Sequence, residues 1–343
     1  MKKIIKKISV LLVALFVLTA CSSNSGDSEK ENTAKNSTNN TAVEKETSEG
    51  QKNIKVGIIQ FTQHVALDRT REGFLEELKN LGYTVEENTV NVSGEISLIP
   101  TTAKKFEGDE VDIIYAIATP AAQGAKNAVA DIPIIFNAVT DPLSAELVDT
   151  NEKPDGNVTG VSDYFSIETQ LKNFLEIFPD SKKLGVLYST GEANSEAQIK
   201  ELEEVTANLG IELVKAGVTT TNDVSAAMTS LVTKIDSYVA IQDNLASSAA
   251  SVIADSLKQA QIPSFSGESG PVENGLLFSD GIDYVELGKS AGKIADEIIG
   301  GKSPAQIPVV FSTQTKRTVN KTTADALGID ANSDLFKNAQ IVD

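Results

Sequence analysis

From Ile54 almost to the end of the chain, short runs rich in β-branched residues alternate with longer stretches of helical spacing, and that alternation leaves few folds open. The first pair sets the pattern. Ile54, Val56, Ile58 and Ile59 form a strand-like run, and Ala66 to Leu81 carries Leu67, Phe74, Leu78 and Leu81 one helical turn or two apart. Between them lies a chemically mixed loop, Gln60 to Val65, which holds an exposed-looking Phe61 and the chain's single histidine, His64. In an open α/β sheet such a loop stands at the carboxyl end of the first strand, where these folds bind small molecules.

The alternation then repeats. A strand is expected over Thr84 to Val92, a helix over Leu98 to Phe106 and a buried strand over Val111 to Ile117. Thr119-Pro120-Ala121-Ala122 reads as an N-cap with proline at the first helical position, opening a helix to about Val129. Strand Ile132 to Phe136 ends in the polar loop Asn137 to Pro142, and the turn Lys153 to Asn157 leads to a short strand, Val158 to Val161. Helices are next expected over Ile167 to Phe178, Asn194 to Leu209, Asn222 to Leu231 and Ala246 to Gln259, with strands over Lys183 to Tyr188, Glu212 to Gly217, Ser237 to Ile241 and Ile262 to Phe265. Loops Ser189 to Ser195, Gln242 to Asn244 and Ser266 to Pro271 fall at strand ends. A strand at Leu276 to Ser279, an amphipathic helix Val285 to Ile299, an edge strand Pro308 to Phe311 and a helix Lys321 to Leu327 complete the pattern. Two α/β halves in sequence predict parallel doubly wound sheets. If the strand near Leu276 returns the chain to the first half, the halves share several connections and can hinge about a cleft.

The amino end reads differently. Lys2, Lys3, Lys6 and Lys7 precede an apolar run from Ile8 to Leu18, which has the form of an export signal and is short for a membrane span. Leu18-Thr19-Ala20-Cys21 resembles the bacterial lipoprotein box, which implies cleavage before Cys21 and lipidation of that cysteine. As the only cysteine, Cys21 has no disulfide partner within the chain. Residues 22–52 are Ser, Asn, Thr, Glu, Lys and Gly with almost nothing apolar, a composition that reads as a flexible tether. The formal charge is −18, and the stretch beyond the four lysines is more acidic still. That balance argues against nucleic acid or an anionic membrane face as a docking partner.

Catalytic signatures are missing from the sequence. The first turn contains no glycine, so it is no dinucleotide fingerprint, and Gly301-Lys302-Ser303 follows a helix where a phosphate loop would follow a strand. With His64 and Cys21 each unique, imidazole and thiolate ligands cannot build a zinc cluster, and no Gly-x-Ser-x-Gly elbow presents a nucleophile. A binding protein without catalytic activity, metal or cofactor is the expectation.

Several segments resemble one family. They are Gly57 to Phe61 with His64 and Leu67-Asp68, Ala116 to Gln123, Ala138 to Pro142, Gly156 to Asp163, Gly185 to Tyr188 with Glu192 to Ser195, Asp243-Asn244, and Gly281 to Tyr284 with Leu287-Gly288. Together they are similar to the solute-binding lipoproteins of ABC importers, in the tryptophan/tyrosine-binding branch of the type I periplasmic-binding-protein fold. Val65 stands where that pattern usually has proline, and Gln242 where it often has Thr or Ile. The resemblance implies two doubly wound lobes around a cleft, joined by three crossovers near Gly160, near Ser279 to Asp283 and near Phe311 to Thr315. The implied domains are a signal peptide at 1–20, a tether at 21–53, lobe one at 54–159 plus 284–311, and lobe two with the crossovers at 160–283 plus 312–343. It further implies a monomer, lipid-anchored on the outer face of a bacterial, Gram-positive membrane, that passes a free aromatic L-amino acid to a permease and its ATPase. The alternatives are another small solute, such as a branched-chain amino acid or a nucleoside, and a ligand-sensing surface lipoprotein.

An amino acid needs three receptors. For its carboxylate, the helix start at Thr119, Pro120, Ala121 and Ala122 offers free N–H groups and a hydroxyl, and Asn194-Ser195 opens a matching helix in the other half. For its ammonium, Asp243 beside Asn244 is the first candidate and Asp283 the second, with Glu268 and Asp141 behind them. For an aromatic side chain, Phe61 is placed to stack and Gln60 to bond the ring edge, with Phe165, Tyr188 and Tyr284 completing a box. His64 either meets a ring N–H or hydroxyl or packs the loop.

Overall fold

The structure, a computed structural model, describes residues 52–343. The expected export signal, Cys21 and most of the tether lie outside the described residues. The tether's expected last residues, Lys52 and Asn53, already belong to the first strand, in register with Tyr83 and Thr84.

Strands run in chain order as β1 (Lys52–Gln60), β2 (Tyr83–Asn91), β3 (Ile113–Ile117), β4 (Ile134–Asn137), β5 (Val158–Ser162), β6 (Lys183–Ser189) and β7 (Glu212–Val218), then β8 (Ser237–Ala240), β9 (Ser264–Glu268), β10 (Phe278–Ile282), β11 (Val310–Phe311), β12 (Thr315–Asn320) and β13 (Gln340–Val342). The helices are α1 (Val65–Asn80), α2 (Ile99–Gly108), α3 (Thr119–Ala128), α4 (Ile167–Ile177), α5 (Ala193–Leu209), α6 (Val224–Leu231), α7 (Asn244–Ser248), α8 (Ala250–Gln259), α9 (Ser269–Glu273), α10 (Tyr284–Ile299) and α11 (Lys321–Ala326).

Two sheets result. The first has the order β11-β5-β4-β3-β1-β2 and is parallel throughout. The second has the order β13-β12-β10-β9-β8-β6-β7, parallel except where β12 runs antiparallel to β10. The chain passes between the sheets three times: after β5 into α4, at Asp283 between β10 and α10, and at residues 312–314 between β11 and β12. The first passage lies beyond Gly160, because Val161 and Ser162 still pair with β11.

Alternation along the strands divides the packing. In the second lobe Leu184, Val186 and Val239 enter one cluster with α4 and α5, while Leu187, Tyr238 and Ala240 enter another with α6 and α8, one on each sheet face. In the first lobe a single cluster joins β1, β3 and β4 to α1 and α10. Those two helices meet without side-chain padding. A Cβ on Gly73 would lie 2.1 Å from the Val285 carbonyl oxygen, and one on Gly288 would lie 2.1 Å from that of Thr70.

Several sequence expectations need correction. Helix 246–259 is two helices broken at Ala249, where the Ser248 hydroxyl bonds back to the Asn244 carbonyl at 2.7 Å. Strands β9 and β10 end three residues later than expected, so that β9 and α9 between them take up the expected 266–271 loop. The polar run Thr315 to Asn320 is a strand because β10 and β13 flank it.

Candidate functional site

Parallel strands bring their carboxyl ends to one edge, and here the two edges face each other. From the first lobe and the crossovers, His64 and Leu67 follow β1, Ala138 and Thr140 follow β4, Asp163 follows β5, and Tyr284 opens α10; from the second, Asn194 follows β6, Gln242, Asp243, Asn244 and Ser247 follow β8, and Glu268 ends β9. Together they enclose a cavity of about 10 Å³, about the room of one water. A larger solute is admitted only when the lobes part.

The wall is acidic. Asp163, Asp243 and Glu268 all line the cavity and are 1–3% exposed, while among the described residues no Lys or Arg lines it. Burial raises the Asp163 carboxyl above its usual range, with the Tyr284 hydroxyl, 2.7 Å from Oδ2, pulling the other way. Burial likewise pushes Glu268 up to about 7, against the Ser247 hydroxyl donating at 2.5 Å. Glu192 sits behind Asn244 and is raised by burial and then by the charge of Asp243. The imidazole of His64 supplies no compensating charge, since burial lowers it to about 4; its Nε2 lies 3.3 Å from Asn244 Oδ1.

Three buried polar atoms in this wall have no hydrogen-bond partner: Asp163 Oδ1, Asn194 Oδ1 and Gln242 Nε2. A fourth, Thr119 Oγ1, stands at the start of α3. Ala118 before it takes φ +82°, ψ 155°, a strained backbone for a residue with a Cβ.

The lobes are also tied across the cleft. Arg69 on α1 grips Glu273 on α9 through both terminal guanidinium nitrogens, Nη1 and Nη2, at 2.7 and 2.8 Å, and Nη1 donates to the Ser269 hydroxyl at 2.9 Å. Thr62 and Ser248 hydroxyl oxygens lie 3.4 Å apart. Thr62 and Ser248 also line a wider recess of about 500 Å³, together with Phe61, Ile96, Glu192, Asn244 and Leu245. Asn244 is common to both spaces.

The sequence candidates separate accordingly. His64, Asn194, Asp243, Asn244 and Glu268 line the cavity, as does Tyr284. Phe61 is 5% exposed, not the exposed ring its loop position suggests; it packs into the first lobe's core and borders the outer recess. Gln60 is committed locally, donating to Thr62 O at 2.9 Å and Asp68 Oδ1 at 2.8 Å. Thr119, Pro120, Ala121 and Ala122 are buried in the first helical turn of α3, where Ala118 holds the N-cap position in place of Thr119. Ser195 donates to Asp243. Asp283 caps α10 through Val285 N, and Asp141 caps its own loop through Leu143 N and Ser144 N, so neither lines the cavity. Phe165 and Tyr188 pack against separate lobe cores. Asp163 and Arg69 are not among the sequence candidates for the site, although Asp163 closes the family-like segment Gly156 to Asp163. The signal for Asp163 was its place directly after a buried strand of a parallel sheet.

Comparison with known proteins agrees with this architecture. Residues 55–342 match the family model for ABC transporter substrate binding proteins. A protein of Clostridioides difficile (strain R20291) described as a tyrosine-binding protein is 40% identical over 330 residues, 95% of this chain and 92% of that one. The Streptococcus pneumonia ABC domain in complex with L-Trp is 33% identical and superposes with a TM-score of 0.81 over 85% of this chain and 100% of that chain. The ligand-free, open structure of a Clostridium difficile substrate binding protein with adhesive properties is closer in sequence, at 39%, yet superposes with a TM-score of 0.66 over 84% of this chain and 99% of that chain. The lobes of the present chain thus stand nearer the arrangement of the tryptophan complex than that of the open form.

Proposed function

The chain belongs to the family of ABC transporter substrate-binding proteins, and from that premise we propose that it captures a free aromatic L-amino acid outside the cell and hands it to a membrane permease served by an ATPase. The observation that carries the chemistry is the cavity wall, which buries three carboxyl groups and, among the described residues, no Lys or Arg. An ammonium group supplies the missing charge, and it does so only for a ligand held between both lobes. The relatives named for tyrosine and complexed with L-Trp point to an aromatic side chain.

The carboxylate is assigned to the start of α3, where the Thr119 hydroxyl and the first-turn N–H groups are donors at the positive end of the helix. The ring is assigned to the side of the recess, bordered by Phe61, Ile96 and Leu245. Capture closes the lobes because the ligand binds the closed form better than the open one. Its role is binding and delivery rather than turnover. Lipidation at Cys21 would hold the body at the outer membrane face, with the polar segment after it giving reach.

Calorimetry of the purified protein with L-tryptophan, L-tyrosine and L-phenylalanine tests the reading. Heat and a thermal shift with at least one are expected; neither signal with any of the three at millimolar concentration refutes it.

A further inference from the structure

We infer that Asp163, not Asp243, is the carboxylate that receives the ligand's ammonium, together with the side-chain oxygen of Asn194 from the opposite lobe. This rests on the amino-acid reading of the cleft and names the residues that make it selective for a free amine. A carboxylate buried away from water must have its oxygens satisfied by something.

Asp243 is already occupied. Its Oδ1 accepts from Ala246 N at 2.7 Å, and its Oδ2 accepts from Ser189 N and the Ser195 hydroxyl, both at 2.6 Å. Three donors from three segments make it the fastening of the β6, α5 and α7 ends, with little capacity left for a ligand. Glu268 has Ser247 on one oxygen and feels the Arg69 charge.

Asp163 differs from Asp243 in its free oxygen, and from Glu268 in having no cationic neighbour. Tyr284 donates to Oδ2 and the Thr140 hydroxyl also acts on the carboxyl, while Oδ1, buried in a residue that lines the cavity, accepts no hydrogen bond. The residue is 3% exposed. Asn194, 4% exposed, lines the same cavity from the other lobe, and its amide nitrogen donates to the Gln242 carbonyl at 2.9 Å. That bond fixes the amide so that Oδ1 is the end left over, and it too is unpartnered. Two unsatisfied acceptors, one of them a carboxylate oxygen, match an ammonium with three N–H donors. An N-acylated or des-amino ligand would leave both bare.

Position adds a consequence. Asp163 lies where the chain leaves β5 for the second lobe, and Tyr284 lies just past the passage at Asp283. An ammonium bound there spans the two lobes beside two of their three connections.

The test compares each amino acid with its des-amino analogue: L-tyrosine with hydroxyphenylpropionate, and L-tryptophan with indolepropionate. In the wild-type protein the amine-bearing ligand is expected to bind far more tightly. Asp163→Asn should weaken it by about 100-fold or more and leave the analogue within about threefold, so that the preference collapses. Asn194→Ala should weaken it by about tenfold with the same selectivity, and it serves if Asp163→Asn does not fold. Asp243→Asn, by contrast, should lower the melting temperature while keeping the preference for the amine. Retained amino-acid affinity in both the Asp163 and Asn194 variants, or equal losses for both ligands of a pair, overturns the assignment. A wild-type protein that binds none of the aromatic amino acids would instead overturn the capture reading on which it rests.

Discussion

Replacing Arg69 by Met tests whether the cleft is held shut by a latch as well as by its ligand. The change keeps the apolar stem that covers α1 and removes only the guanidinium. What is lost is a two-pronged ion pair with Glu273, at 2.7 and 2.8 Å, and the bond to Ser269, all reaching from one lobe to the other. Both side chains are only 25–29% exposed, so the pair is worth more than an open surface bridge and less than a fully buried one. About 1–2 kcal/mol is the expected scale. Because the pair spans lobes that must part to admit a solute, its loss falls on the closed state and not on either lobe's own stability. If the unliganded protein is mainly open, the whole amount appears in binding, and Kd should rise by about 5–30-fold. The added cost should appear as faster release, measured by stopped-flow, with calorimetry giving Kd. Wild-type affinity should weaken with added salt more than that of the variant, since screening acts on the same pair. An unchanged Kd, or a large fall in melting temperature, would refute the latch.

Other expectations address the wall and the packing behind it. With the lobes closed, Glu268 keeps its proton up to about pH 7, whereas the unfolded chain loses it near 4.5. The folded form therefore binds more protons across that window, and stability should fall as pH rises through it, by roughly 3 kcal/mol for this group. Melts of wild-type and Glu268→Gln between pH 5 and 8 should show a flatter profile in the variant; parallel profiles would refute the assignment. Phe61→Ala removes a ring buried in the first core and should cost about 3–5 kcal/mol in urea unfolding. An unchanged midpoint would refute its place in that core and leave bordering the recess as its only role. Gly288→Ala should destabilise by about 1–3 kcal/mol, because its new methyl meets the Thr70 backbone; no change in midpoint would mean that α1 and α10 separate freely.

The repeating strand and helix pattern was legible because parallel strands buried on both faces read as continuous apolar runs, as Ile113 to Ile117 does. Strand β12 was not, since Thr-Lys-Arg-Thr carries no apolar alternation and becomes a strand only through neighbours distant in sequence. The strand-end position of His64, Asn194, Asp243 and Asn244 placed them at the cavity. Asp141 and Asp283 had the same credentials, but short acidic side chains also cap nearby backbone N–H groups, and here they do. Asp163 and Arg69 escaped notice because what sets them apart is convergence. One depends on a tyrosine 121 residues away and the other on a glutamate 204 residues away.

The bare contact between α1 and α10 bears on how motion travels. Where two helices meet through side chains, small rotamer changes let one slide over the other and absorb a displacement. Through Gly73 and Gly288 there is no such cushion, so the pair behaves as a single crank. Tyr284, just past the connection at Asp283, stands at the same end of that crank as Arg69 and the loop with His64, its carbonyl accepting from the Thr70 hydroxyl at 3.2 Å. A twist of the connection at Asp283 is thereby delivered undiminished to the lip of the cleft, which swings as one piece rather than folding in by parts.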